Sequence, residues 1–403
     1  MKIKVVWICH FTNKEFKDYF NTPNINDLAP WISMLIESFK NNDKIDLCII
    51  APNIFTNKDH IFTNQGIVFH FYKPIPILKN NRYLNKVYHL LRIDYLTNFY
   101  WIKHKINKII KQQNPDIIHL HGAENPYYSA GILPLMTKYP TITTIQGFIR
   151  QTSEHNFIVQ NRIKIEEKIL KASNNFGVRT KEMTKTILGI NPNANFYFHN
   201  YPIMHPSIIK DNIGKDEQYD CIFFARICRD KGIEDLLHAI SQIKKGRPTI
   251  TLLIVGEIAN SYYKLISQLI IDLKIQKNIV WKGFLTDQEE IYKYAFQSKI
   301  CVLPTLHDII PGTIIESMLM KLPVISYAVG GIPEINETDE RIVLVEKGNI
   351  NSLASKILIL LNDIDLRISL SEKAFSYAKA KYDNMNIVHD IINSYEMILK
   401  TKQ

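Results

Sequence analysis

Residues 303–334 read LPTLHDIIPGTIIESMLMKLPVISYAVGGIPE, from Leu303 to Glu334. The stretch parses as strand, loop, helix, strand, loop. Asp308 opens the loop, Pro311, Gly312 and Thr313 stand where a helix begins, and Glu316 falls on its first turns. A helix start carries unpaired backbone N–H groups and the positive end of a dipole, which suits a bound anion. A carboxylate one turn on can accept hydrogen bonds from ligand hydroxyls. The stretch therefore reads either as a seat for something carrying phosphate and sugar hydroxyls, or as an ordinary capped helix of an α/β domain. The rest of the chain separates the two.

Outward from this stretch, strand and helix patterns alternate along nearly the whole sequence. Strands are expected at Lys4–Ile8, Ile45–Ile50, Ile67–Tyr72, Asp116–Leu120, Thr141–Ile145 and Asn175–Arg179, and again at Cys221–Ala225, Thr249–Val255, Ile279–Lys282, Ile300–Leu303, Val324–Tyr327 and Ile342–Val345. They are short, continuous apolar runs, as strands buried on both faces require. Helical patterns such as Trp31–Asn41 and Arg162–Ala172 lie between them. The alternation predicts an α/β fold of two doubly wound parallel-sheet, Rossmann-like domains. The pattern lapses at Tyr201–Gln218, where prolines, a glycine and polar residues suggest a linker. The expected division is a first domain over 1–200, a linker over 201–217, a second domain over 218–385, and a terminal helix over 386–403 that can return to the first domain. Ligands of such sheets sit beyond the carboxyl ends of the strands, so the site is expected where two such domains face each other.

The 403 residues are too many for one ordinary core, and 46% hydrophobic with 22% charged is a globular composition, not a disordered one. Cys9, Cys48, Cys221, Cys228 and Cys301 are scattered without a Cys-x-x-Cys pair, which fits free thiols in a reducing compartment. No apolar run is long enough to span a membrane, and the opening MKIKVVWICHFTNKEF reads as a first strand rather than a signal peptide. The net charge of +10 is uneven: residues 1–200 hold 25 Lys and Arg against 14 acids, and residues 201–403 hold 24 against 25. Within the first half, Lys79, Arg82, Lys86, Arg92, Lys103, Lys105, Lys108 and Lys111 face only Asp94, with Tyr83, Tyr88, Tyr95, Phe99, Tyr100 and Trp101 interleaved. Stretch 79–111 suits an anionic membrane surface; alternatively its aromatics face the core and its cations are merely solvated. No nucleic-acid-binding motif accompanies it.

Four groups of residues could carry chemistry. Arg226 and Lys231 lie on the loop after the second domain's first strand, where a planar fork and a mobile ammonium can grip a diphosphate. Gly283, Phe284 and Leu285 end another strand, where backbone can approach a flat ring. His119 and His121 are two apart in a strand, with Glu124 beyond them. Asp363-Ile364-Asp365 has the spelling of a metal motif but falls between helices, where a solvated cap is expected.

The order of phrases is more specific than any one of them. Arg226-x4-Lys231-Gly232 is followed by Val255-Gly256-Glu257, Gly283-Phe284-Leu285 and Leu303-Pro304-Thr305. Then come Asp308-x7-Glu316, Leu322-Pro323-Val324-Ile325 and Gly330-Gly331-Ile332-Pro333-Glu334. This set resembles the GT-B glycosyltransferases of family 4, strongly over about 220–340. Pro115–Gly122 and Thr144–Gly147 extend the likeness more loosely, towards bacterial capsule and O-antigen transferases. The resemblance implies a retaining, metal-independent transfer from a nucleotide diphosphate-sugar, UDP- or GDP-linked, with no further cofactor. Arg226 and Lys231 would neutralise the leaving diphosphate, Glu316 would accept from the ribose, and Asp308 would face the donor sugar. Backbone of Pro311, Gly312, Thr313 and Ile314 would cradle phosphate and sugar, and Gly283, Phe284 and Leu285 would hold the base. His121 would stand near the reacting carbon, with Glu124 and Gln146 on the acceptor side. Three positions depart from the family pattern: Cys9–Asn13 replaces a glycine pair, Asp308 replaces a glutamate, and Gln146 replaces a histidine.

The expected acceptor is a saccharide, lipid-linked or soluble, met by a cytoplasmic protein peripheral at the inner membrane face. The competing readings are a sugar-nucleotide epimerase, a phosphorylase, and an inactive GT-B-like subunit that only binds nucleotide or glycan.

Overall fold

The computed structural model describes all residues except 1, 23–27, 54, 56–57, 76–87, 89, 153–155, 211–212 and 402–403. The chain divides into two compact units, Met1–Pro202 with Asn384–Gln403, and Ile203–Asp383.

The first unit holds an eight-stranded sheet built from β1 (Ile3–Ile8), β2 (Ile45–Pro52), β3 (His60–Asn64), β4 (Ile67–Tyr72), β5 (Ile117–His121), β6 (Thr141–Thr144), β7 (Asn175–Val178) and β8 (Asn195–Phe198), in the order β3-β4-β2-β1-β5-β6-β7-β8. All pairings are parallel except β3 with β4. Strands β3 and β8 fall outside the sequence expectation. Both are edge strands, and β3 alternates between partly and fully exposed residues, so neither forms the continuous apolar run that marks a buried strand.

The second unit holds six strands: β9 (Tyr219–Phe224), β10 (Leu252–Val255), β11 (Ile279–Gly283), β12 (Ser298–Leu303), β13 (Val324–Tyr327) and β14 (Val343–Val345). Their order is β11-β10-β9-β12-β13-β14, and every pair is parallel. This is the doubly wound order in which chain direction across the sheet reverses between the first strand and the fourth, here β9 and β12, and a crevice opens at their carboxyl ends. Ile222, Phe223, Leu253, Ile254, Val302 and Leu303 are wholly buried and anchor that edge.

The described residues of 203–217 belong to the second unit. Lys210 is buried, its N–H bonds the Met320 carbonyl at 3.0 Å, and its ammonium reaches the Ser298 carbonyl at 2.7 Å and Glu217 at 2.9 Å. Arg367 closes the pair from the other side, 2.9 Å from Glu217. A buried charge is tolerated only when paired in this way.

The helix Asn384–Lys400 belongs to the first unit, burying Ile387, Ile391, Ile392, Tyr395 and Ile398 in its core. Tyr395 ties it to two strands. The Trp7 indole N–H can only donate, and it bonds the Tyr395 hydroxyl at 2.9 Å. His119 Nδ1 lies 2.7 Å from the same hydroxyl. His119 Nε2 is 2.6 Å from Thr144 Oγ1, which is 3.0 Å from His199 Nε2. Strands β1, β5 and β6, the segment after β8 and the terminal helix share one chain of hydrogen bonds.

Candidate active site

A pocket of about 290 Å³ opens on the second unit at the carboxyl ends of β9, β10 and β11. Its wall carries Phe224, Ala225 and Arg226 after β9, Gly256 and Glu257 after β10, and Phe284 and Leu285 after β11. Gln288 and Ile291 enter from the helix Gln288–Phe296, and Thr313 and Glu316 from the helix Gly312–Leu319. Arg226, Phe284, Leu285, Thr313 and Glu316, expected from separate phrases of the sequence, therefore meet in one wall. Gly283, Pro311, Gly312 and Ile314 adjoin it along the chain, and the Ile314 side chain is buried in the core beneath.

The helix Gly312–Leu319 begins without a side-chain cap, since its cap residue is Pro311. The Thr313 hydroxyl donates to the Phe224 carbonyl at 2.9 Å and ties the helix start to the end of β9. The first amides of the helix are left for another acceptor. Glu316, partly buried, accepts from Gln288 Nε2 at 3.2 Å, and desolvation pushes its carboxyl up to about 7. Arg226 is exposed and has no hydrogen bond or ion pair among the described residues. Phe284 is 52% exposed at the rim.

Lys231 and Asp308 lie outside this wall and are joined to each other by an ion pair. The sequence reading gives them separate partners, diphosphate and sugar; the structure brings them together across the loops that follow β9 and β12. Those loops are braced. The Asp230 carbonyl accepts from Leu306 N–H at 2.7 Å and from Thr305 Oγ1 at 3.0 Å. Gly232 has φ +75°, and a Cβ there would lie 1.8 Å from the Pro304 carbonyl oxygen. Gly330, with φ +53°, allows the loop after β13 to approach the Asp308 carbonyl, where a Cβ would come within 1.9 Å.

On the first unit, His121 closes β5 and is 1% exposed. The sequence reading has the chain leaving the strand at Leu120; the strand instead runs through His121, so the two histidines share a face and stack with ring centroids 3.7 Å apart. His119 has both nitrogens bonded, whereas both nitrogens of His121 lack a partner among the described residues. Burial drives the His121 pKa well below its ordinary value, so the ring is neutral. Trp7 packs edge-on against it at 4.6 Å. Glu124 accepts from the Tyr128 hydroxyl at 2.8 Å and leaves Oε2 unbonded among the described residues, with its pKa raised by burial. Gln146 Nε2 donates weakly to the His121 carbonyl at 3.4 Å, and the Gln146 carbonyl accepts from Arg179 at 3.0 Å. Arg179 lies over the Tyr201 ring at 4.8 Å. Sequence reasoning passes over Arg179, Tyr201, Tyr128 and Gln288, which belong to no phrase and acquire their neighbours only through the fold. In the loop after β1, Asn13 caps the helix Lys14–Phe20 through Phe16 N–H at 2.9 Å, and Cys9 and Phe11 are buried.

The basic stretch is only partly described: Lys79, Arg82, Tyr83 and Lys86 lie outside the described residues. Of the rest, Tyr88 and Phe99 are buried, as the core-facing alternative has them, and Tyr100 is exposed. Asp94 is buried and accepts from the hydroxyls of Tyr88 and Tyr127. Among the described residues no helix is long and apolar enough to cross a membrane.

The family model described as glycosyl transferases group 1 matches residues 206–377, and that described as glycosyl transferase 4-like matches 75–177. The group 1 match lies within the second unit. The chain is 24% identical over 237 residues to the capsular polysaccharide biosynthesis glycosyltransferase CapM of Staphylococcus aureus, covering 55% of this chain and 58% of that relative. Among solved structures it is similar to sucrose-phosphate synthase from Thermosynechococcus elongatus, with a TM-score of 0.77 at 15% identity over 99% of this chain and 100% of that one. It is also similar to HepE of Anabaena in complex with UDP-glucose, with a TM-score of 0.69 at 14% identity over 98% of this chain and all of that one (100%). The fold is that of the GT-B glycosyltransferases. The pocket lies at the carboxyl edge of the second sheet, the side on which doubly wound sheets take their ligands.

Proposed function

We propose that the chain transfers a sugar from a nucleoside diphosphate-sugar to a saccharide acceptor, with retention at the sugar carbon and without a metal ion. The observation that carries this reading is the pocket at the carboxyl edge of β9–β11, where an unpaired arginine, an uncapped helix start and a partly buried carboxylate meet. Breaking a sugar–phosphate bond builds negative charge on the leaving diphosphate. Arg226, Lys231 and the amides at Gly312 and Thr313 are the positive groups offered to that charge, in the place of a divalent ion. Glu316 accepts from the ribose hydroxyls, and Phe284 and Leu285 border the base. The donor is UDP- or GDP-linked; the UDP-glucose bound by HepE supports the first. On the first unit the neutral imidazole of His121 is suited to a site where positive charge develops on sugar carbon, and Glu124 and Gln146 face the acceptor.

The acceptor in this reading is a lipid-linked glycan of a capsule or related surface polysaccharide, and the name of CapM supports it. The cationic first half, with Arg92 and Tyr100 exposed, favours work at an anionic membrane face. A thermal-shift panel of UDP-, GDP-, ADP- and dTDP-sugars tests the donor site, since a ligand raises the melting temperature by mass action. One nucleotide is expected to stabilise the parent and to lose its effect in Glu316→Ala. A Glu316→Ala protein that binds that nucleotide as tightly as the parent would exclude this donor site, and silence to all four would favour a subunit without transferase activity.

A further inference from the structure

The Lys231–Asp308 ion pair occupies a position at which two needs collide. It bridges the loops after β9 and β12, the two strands between which the crevice opens. Each side chain is only about a fifth exposed, 20% for Lys231 and 19% for Asp308. Arg226, on the same loop as Lys231, is free of ion pairs among the described residues. One cation is therefore open to an incoming diphosphate and the other is already engaged.

We propose that Asp308 latches Lys231, and that the donor must take Lys231 from it. This rests on the donor-site reading above. The loops on either side of the pair are held together, with Gly232 and Gly330 admitting carbonyls to within a Cβ's reach and the Asp230 carbonyl bonded twice by the neighbouring loop. Release is a side-chain event, and the flexible four-carbon stem of Lys231 is the part that can swing. A diphosphate offers more negative charge than one carboxylate, so the exchange is favourable for Lys231. It leaves Asp308 without its cation beside a phosphate. The Ile309 N–H, 3.1 Å from Asp308 Oδ1, holds the carboxylate in place but supplies one bond only. A hydroxyl of the donor sugar supplies what is missing; a bare nucleoside diphosphate, which is the product, does not. The latch therefore disfavours product relative to donor, and so limits product inhibition.

The test is titration calorimetry of parent, Asp308→Asn, Lys231→Met and the double variant, with inorganic pyrophosphate, UDP and GDP, their glucose conjugates, and uridine and guanosine. Asp308→Asn should bind pyrophosphate and the nucleoside diphosphate about three- to tenfold more tightly than the parent, the range expected for removing one partly exposed competing pair. The gain should be smaller for the nucleotide sugar, absent for the nucleoside, and abolished in the Lys231→Met background. A gain that persists with Lys231→Met is plain repulsion by Asp308 and overturns the latch, as does unchanged or weaker binding in a folded Asp308→Asn protein. If parent and variants bind neither pyrophosphate nor any nucleotide, the donor-site reading falls and the latch with it.

Discussion

At Glu316 desolvation pushes the carboxyl up to about 7, so its ionisation falls near neutral pH. A ribose diol is held best by the carboxylate, and binding should therefore release protons and strengthen as pH rises through about 6 to 8. The effect on folding has the opposite sense: a raised carboxyl pKa means the folded state resists ionisation, so this group's contribution to stability falls as pH climbs from the ordinary carboxylate range towards 7. Calorimetry with a nucleotide sugar, whose diphosphate does not titrate there, should show the pH slope, and Glu316→Gln should flatten it; a slope unchanged in that variant would assign it elsewhere. Arg226 has the complementary job. Arg226→Ala should weaken a nucleoside diphosphate by about ten- to a hundredfold, the range of one charged hydrogen-bonding partner, and leave the nucleoside unchanged. Equal losses for both ligands would show a fold defect instead. Both residues are legible in the sequence, because charge and spacing after a strand mark them. Gln288 is not: it is the first residue of a helix capped by Asp287, and its bond to Glu316 joins positions 28 apart.

Among elements, the loops at the carboxyl edge of the second sheet are positioned by glycines whose role is visible only in three dimensions. Gly232 reads in sequence as a helix start after Lys231. In the fold it also admits the Pro304 carbonyl, and its φ of +75° is one that other L-residues rarely adopt. Gly232→Ala must shift backbone at both loops and should destabilise the second unit by about 2–4 kcal/mol, combining steric displacement with a strained conformation. Denaturant unfolding measures it, and a loss under about 0.5 kcal/mol, the scale of an ordinary surface change, would show that the loops can separate freely. Buried parallel strands such as β9 and β12 are plain in the sequence because both faces demand apolar side chains. Strands β3 and β8 are obscured because an edge strand meets water and needs no such run. The pairing of Lys231 with Asp308, 77 positions apart, follows from the adjacency of β9 and β12, which alternation alone does not specify.

At the scale of the whole molecule, the chain crosses from one unit to the other and back, so the first unit is completed only by its last segment. The helix Asn384–Lys400 supplies Ile387, Ile391 and Tyr395 to a core whose strands end at Phe198. The Tyr395 hydroxyl anchors it, accepting from Trp7 on β1 and sharing a hydrogen bond with His119 on β5. Tyr395→Phe keeps the ring and removes that oxygen, leaving a buried indole N–H and a buried imidazole nitrogen without their partner. An unsatisfied buried group costs about 1–3 kcal/mol. The loss should fall on the elements the hydroxyl joins. Amide hydrogen exchange in Tyr395→Phe should quicken in β1, β5 and residues 384–400, by roughly five- to a hundredfold if those amides exchange through opening of this unit. Exchange in β9, β12 and the helix Gly312–Leu319 should stay at the parent rate, because the second unit has its own core. Slow exchange preserved throughout the first unit would mean that the helix is held by its apolar face alone. Acceleration extending to β9 and β12 would mean that the two units unfold as one.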